Sequence, residues 1–160
     1  MLCLRAGEKM SKRGIAKLLG VSATAVGKAL PMLVKSGLAV EEKTPSSDNI
    51  GLSRSQDTMQ LKRAENLRLV YETGFAKFLE DAYPGCAISL FGSFSRGDDT
   101  SKSDIDIAVV GSEKETDVYK FEKIFGRKIN IGKYESWKDI HKNLKESICG
   151  GIMISGGVEL

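Results

Sequence analysis

Two aspartates stand one residue apart between aliphatic side chains in the stretch Ser103-Asp104-Ile105-Asp106-Ile107. In an extended strand, side chains alternate between faces. Both carboxylates therefore point one way, while Ile105 and Ile107 point into a core. Paired acidic oxygens repel each other unless a cation lies between them, and a hard divalent ion, Mg²⁺ or Mn²⁺, suits carboxylate ligands. A few residues upstream, Leu90-Phe91 runs into Gly92-Ser93 and then Phe94-Ser95-Arg96-Gly97. Small residues at such a turn let backbone N–H groups come close to an anion. A carboxylate pair beside a phosphate-holding turn describes a site for a nucleoside triphosphate with its metal.

The run from Phe91 to Asp106 resembles the nucleotidyltransferase superfamily that includes DNA polymerase β, and specifically its small members, the minimal nucleotidyltransferases. Looser similarity covers the chain from residue 57 onward. The resemblance implies that Gly92 and Ser93 hold the β- and γ-phosphates of an NTP. It also implies that Asp104 and Asp106 are the catalytic residues and the ligands of Mg²⁺ or Mn²⁺. Arg96 and Ser103 complete the expected nucleotide site. Arg96 either pairs with the triphosphate or clamps Asp98 or Asp99, and Ser103 supports the aspartates' strand through the backbone. The family usually carries a third carboxylate on a later strand; Ile129-Asn130-Ile131 has the right flanks but an amide. An amide cannot act as a base, although its carbonyl oxygen can still be a weak metal ligand. Three explanations stand open: Glu135 or Asp139 substitutes, a solvent base serves, or the domain binds nucleotide without transferring it.

These residues need elements to hold them. Apolar residues recurring every three or four positions predict a helix from Thr58 to about Ala82, with Gly74 inside it. Strands are expected at Ala87–Phe91 and Asp104–Val110, a helix at Asp117–Phe125, and an alternating strand at Lys128–Tyr134. Ser136 is expected to cap a last helix bearing Trp137, Ile140, Leu144 and Ile148. The glycine-rich tail from Gly150 suits an irregular closing strand. His141, at the edge of that last stripe, reads as partly buried packing, and Cys86, Phe75, Phe78 and Trp137 read as core.

The N-terminal part reads differently. Residues 1–40 hold seven basic side chains against Glu8 alone, a surplus of six, so the other 120 residues sum to −3 within the total of +3. A basic front end suggests a polyanionic partner. Ser11 and Ser22 are placed to cap two helices separated by Gly20, with Ile15, Leu18 and Leu19 on one inward face and Val26, Leu30 and Leu33 on the other. Pro31 predicts a kink. Leu38–Lys43 and Ile50–Ser53 suit two strands around the turn-forming Thr44–Asn49. The stretch Ile15–Leu38 resembles the winged helix-turn-helix of transcriptional regulators. On that resemblance Ser22, Thr24 and Lys28 face base edges, and Lys12, Arg13, Lys17, Lys43 and Arg54 face phosphates. A small helical dimerisation domain is the alternative.

At 160 residues, 41 % hydrophobic and 28 % charged, the chain has the composition of a globular protein. It shows no apolar run near the roughly 18 residues of a membrane span and no signal-peptide pattern. Three unclustered cysteines argue against a disulfide framework or zinc site, so a cytoplasmic location is expected. The expected fold is α+β, a winged helix-turn-helix over residues 1–55 followed by a nucleotidyltransferase-type mixed sheet flanked by helices over 56–160, with 57–83 as connecting helix. The expected function is metal-dependent nucleotidyl transfer fused to a DNA-binding regulator, possible partners being DNA, an NTP, a protein acceptor or toxin, and a second copy of the chain. The alternative is a regulator whose second domain only binds nucleotide or dimerises.

Overall fold

Ser11 and Ser22 each offer a side-chain oxygen to a backbone N–H three residues on, at Gly14 and Ala25, 3.1 Å away in both cases. That bond satisfies one of the N–H groups a helix start leaves without a partner. Two helices follow, α1 (Lys12–Leu19) and α2 (Ala23–Lys35), bent 109° from one another. The computed structural model describes residues 2–43 and 48–158. These divide into two compact units, Met1–Lys62 and Arg63–Leu160.

In the first unit, α2 continues through Pro31 as one helix to Lys35. The proline removes only the bond its missing N–H would make to the Gly27 carbonyl. Strands β1 (Ala39–Lys43) and β2 (Asp48–Leu52) pair antiparallel, with Ala39 opposite Leu52 and Lys43 opposite Asp48. The expected turn between them falls at residues 44–47, outside the described residues. Ile15, Ala16, Val26, Leu30, Ala39 and Ile50 form this unit's core. Leu18 and Leu19, expected inward beside Ile15, are 48 % and 50 % exposed. Ala16 completes the buried face in place of Leu18, and Leu19 borders an open apolar cavity of about 360 Å³ shared with Val26, Leu30 and Leu61.

Helix α3 (Gln56–Glu72) begins in the first unit and ends in the second. Where the sequence predicts one helix to Ala82 the chain makes two, because Gly74 adopts φ 73° and α4 (Phe75–Ala82) starts afresh. Left-handed backbone cannot continue a right-handed helix, and glycine takes it at little steric cost.

Beyond α4 the order is β3 (Ala87–Phe91), α5 (Gly92–Arg96), β4 (Ile105–Val110), α6 (Tyr119–Phe125), β5 (Ile129–Tyr134), α7 (Lys142–Cys149) and β6 (Ile152–Ser155). The mixed sheet runs β5-β4-β3-β6, parallel only between β4 and β5. Helix α6 starts two residues later than expected, with the Asp117 carboxylate accepting the Tyr119 N–H at 2.9 Å. One sheet face buries Ile88, Leu90, Ile105, Ile107 and Val109 with Phe75, Leu79 and Phe121. The other face carries Ala108 and Val110 under Trp137, Ile140 and Ile148. Ser136 caps only a short 3₁₀ turn, Trp137–Asp139, rather than the whole last helix. Ile140 is extended, so α7 begins anew after His141, which is exposed instead of packed. Among the described residues, no single helix is long and apolar enough to cross a membrane.

Candidate active site

The β3–β4 register places Phe91 opposite Asp106 and so brings Gly92 against the aspartate's side chain. A Cβ added at Gly92 would overlap Asp106 Oδ2 and lie 3.3 Å from its Cγ. Gly92 also holds φ 73°. Both facts demand glycine where strand turns into helix. Ser95 Oγ donates to the Gly92 carbonyl at 2.9 Å and fastens the turn. The first turn of α5 leaves its N–H groups without intrahelical partners. Ser93 lies there, partly exposed.

Asp106 shares its sheet face with Ala108 and Val110, at the end of β4 away from Val110, the partner of Tyr134. In the parallel β4–β5 pair, Asn130 is the register partner of Asp106. Its Nδ2 donates to Asp104 Oδ2 and to Asp106 Oδ1, each at 3.1 Å. One amide thus bridges both carboxylates and offsets their mutual repulsion. Two carboxylates, with an amide carbonyl available on rotation, suit a hard divalent cation that takes its other ligands from water and phosphate. Among the described residues, no three His, Cys, Asp or Glu side chains gather into a metal site. Glu135 follows the opposite end of β5, about 16 Å along the strand from Asn130, and Asp139 lies in the 3₁₀ turn after it. Asp139 Oδ2 is moreover taken by the Ser136 N–H and hydroxyl at 2.9 and 2.7 Å. Neither acid replaces the missing carboxylate.

Arg96 Nε reaches Asp98 at 3.3 Å in an exposed pair. The buried acid of the loop is Asp99, and it has different partners. Asn66 Nδ2 donates to Asp99 Oδ1 at 2.8 Å and to the Phe94 carbonyl at 2.9 Å. Arg127 Nη1 donates to Asp99 Oδ2 at 2.6 Å, with its guanidinium 5.4 Å from the Phe94 ring centre. Ser103 Oγ accepts the Thr100 N–H at 3.0 Å, so it holds the same loop. This cluster joins α5, which starts at Gly92, to the loop and the turn that lead into β4 and β5, the strands of Asp106 and Asn130. Sequence reading missed Asn66 and Arg127. Neither stood out in the sequence: Asn66 lies mid-helix, and Arg127 is one of two adjacent cations with Lys128, just after the glycine ending α6.

In the first unit, Arg13, Lys17, Ser22, Thr24, Lys28 and Arg54 are exposed. Ser22 Oγ is occupied as the α2 cap. Lys12, expected at a phosphate, is instead turned to its own hairpin, 2.9 Å from both Asp48 and Glu41. Those bonds, to Asp48 first, hold its ammonium above the usual lysine range. The side chain of Lys43 lies outside the described residues.

Residues 73–148 match the family described as nucleotidyltransferase domain. The chain is also 38 % identical over 63 residues to a Methanocaldococcus jannaschii protein named provisionally as a protein adenylyltransferase. That alignment covers 34 % of this chain and spans 63 % of the relative's length. No solved structure matches. The family match begins at residue 73 and leaves the first unit outside it, so what the comparisons support is a nucleotidyltransferase domain in the C-terminal part of the chain.

Proposed function

We propose that the second unit transfers a nucleoside monophosphate from an NTP to an acceptor hydroxyl, and that the first unit binds DNA. The observation that carries the enzymatic reading is the contact between Gly92 and Asp106, which seats a phosphate-holding turn directly on one carboxylate of the pair. Asp104 and Asp106 would hold Mg²⁺ or Mn²⁺, while Gly92 and Ser93 offer backbone N–H groups to the outer phosphates. Arg96, its exposed partner Asp98 easily exchanged, is available to a phosphate oxygen. A bound divalent cation neutralises charge on the triphosphate and on the departing pyrophosphate. The acceptor oxygen forms its bond to the α-phosphorus, the bond to pyrophosphate breaks, and the acceptor's proton leaves to solvent, since residue 130 is an amide. The relative's name favours a protein side chain as acceptor.

The DNA-binding reading rests on the 109° bend between α1 and α2, within the roughly 90–120° of helix-turn-helix motifs, followed by an antiparallel hairpin. Arg13, Lys17 and Lys28 stand exposed on those helices. A regulator reading two half-sites would act as a homodimer in the cytoplasm. A second reading, a nucleotide-sensing regulator without transfer, is favoured by Asn130 alone.

The test is incubation with α-labelled ATP, GTP, CTP and UTP, Mg²⁺ or Mn²⁺, and cell extract as acceptor source. Label transfer abolished in Asp104→Asn/Asp106→Asn supports the enzyme. Metal-dependent nucleotide binding without transfer moves the conclusion to the sensor, and neither outcome refutes the DNA-binding half.

A further inference from the structure

We propose that the site formed by Asp104, Asp106 and Asn130 holds a single divalent cation, and that Asn130 sets that number. The inference rests on the nucleotidyl-transfer reading and concerns how its metal is counted. Asn130 is the register partner of Asp106, and its Nδ2 lies 3.1 Å from an oxygen of each aspartate. Residue 130 is therefore the one side chain on the neighbouring strand that meets both carboxylates.

Two divalent cations at the roughly 3.5–4 Å spacing of two-metal sites repel four times as strongly as two unit charges there. Anionic ligands must offset that repulsion. A triphosphate brings anionic oxygens for the ion that it binds, so a second ion depends on the protein's own charge, to which a third carboxylate would add and an amide adds none. Among the described residues no other acid completes a three-ligand group. When no cation is bound, the amide's two N–H groups hold the carboxylates together. With one bound, rotation about χ2 would let Oδ1 serve as a neutral ligand instead.

The experiment uses the full chain with Mn²⁺ and the α,β-methylene analogues of ATP, GTP, CTP and UTP in turn. Equilibrium dialysis counts bound Mn²⁺, and electron paramagnetic resonance reads whether the ions are spin-coupled. Wild type is expected to bind one Mn²⁺ per chain with an uncoupled spectrum. Asn130→Asp is expected to bind two, with a coupled spectrum. Three crowded carboxylates should also lower its thermal midpoint in chelator, and Mn²⁺ should restore it. Two coupled ions in wild type, or one in a folded Asn130→Asp protein, overturn the inference while leaving nucleotidyl transfer standing. Should the variant fail to fold, the wild-type count decides alone. Absence of any nucleotide-dependent Mn²⁺ binding that Asp104→Asn/Asp106→Asn removes would instead overturn the underlying reading.

Discussion

Replacing Gly92 by alanine tests the contact on which the site depends, and the chain supplies its own control. Gly92 and Gly74 both adopt φ 73°, so alanine meets the same left-handed backbone penalty at each, roughly 1–2 kcal/mol. Their surroundings differ. An added Cβ meets nothing within 4 Å at Gly74, whereas at Gly92 it overlaps the Asp106 carboxylate. To recover ordinary contact, that carboxylate or the turn must move by about 1 Å, and misplacement on that scale costs about 100-fold in rate. Both variants should lose stability in urea titrations, Gly92→Ala somewhat more because the displaced carboxylate adds a steric cost. Only Gly92→Ala should lose label transfer, by about two orders of magnitude. The assay is initial-rate transfer of α-labelled nucleotide at saturating metal, with denaturation curves recorded on the same preparations. Equal transfer rates in the two folded variants would refute the argument, because they would mean that Asp106 can be displaced without consequence.

Two further outcomes follow from charges the structure pairs. Asp99→Asn or Arg127→Met removes one member of a buried ion pair and should cost up to about 3–5 kcal/mol each, the double variant less than the sum of the two, as read from urea midpoints. Additive losses would mean the pair is not coupled. Arg13→Gln and Lys28→Gln should each weaken DNA binding, with the slope of log affinity against log salt falling by about 0.9 for each phosphate no longer neutralised. Lys12→Gln should leave that slope unchanged, since Asp48 and Glu41 already occupy its ammonium; a reduced slope would show that the ion pairs open for DNA.

The site's central geometry was legible because local rules fix it. Extended alternation carried one residue back from β4 puts Asp104 beside Asp106, and the Asn130 register follows once two aliphatic-flanked strands lie parallel. Helix starts at Ser11 and Ser22 were equally local, a hydroxyl reaching a nearby N–H. The helix interruptions at Gly74 and Ile140 were less so. Apolar periodicity runs across both points, and periodicity cannot distinguish one helix from two that bury the same stripe. Burial shows the same limit at Leu18 and Leu19, whose spacing is right but whose neighbours do not cover them.

Partner choice was the least legible property, and the adjacent acids Asp98 and Asp99 show why. Both follow Gly97, and both lie within reach of basic residues in the sequence. Asp98 stays exposed and pairs with Arg96, two residues away. Asp99 is enclosed and pairs with Asn66 and Arg127, separated from it by 33 and 28 residues. A carboxylate at the surface can accept any cation nearby at little gain, because water screens the pair. An enclosed one must be fully matched, since an unmet charge there costs several kcal/mol. Which of the two is enclosed depends on where α3, Phe94 and the turn before β5 come together, a tertiary fact absent from any local pattern. The same enclosure makes the Asp99 cluster the part of the site that tolerates substitution least, although none of its members is among the side chains assigned to the metal or the phosphates.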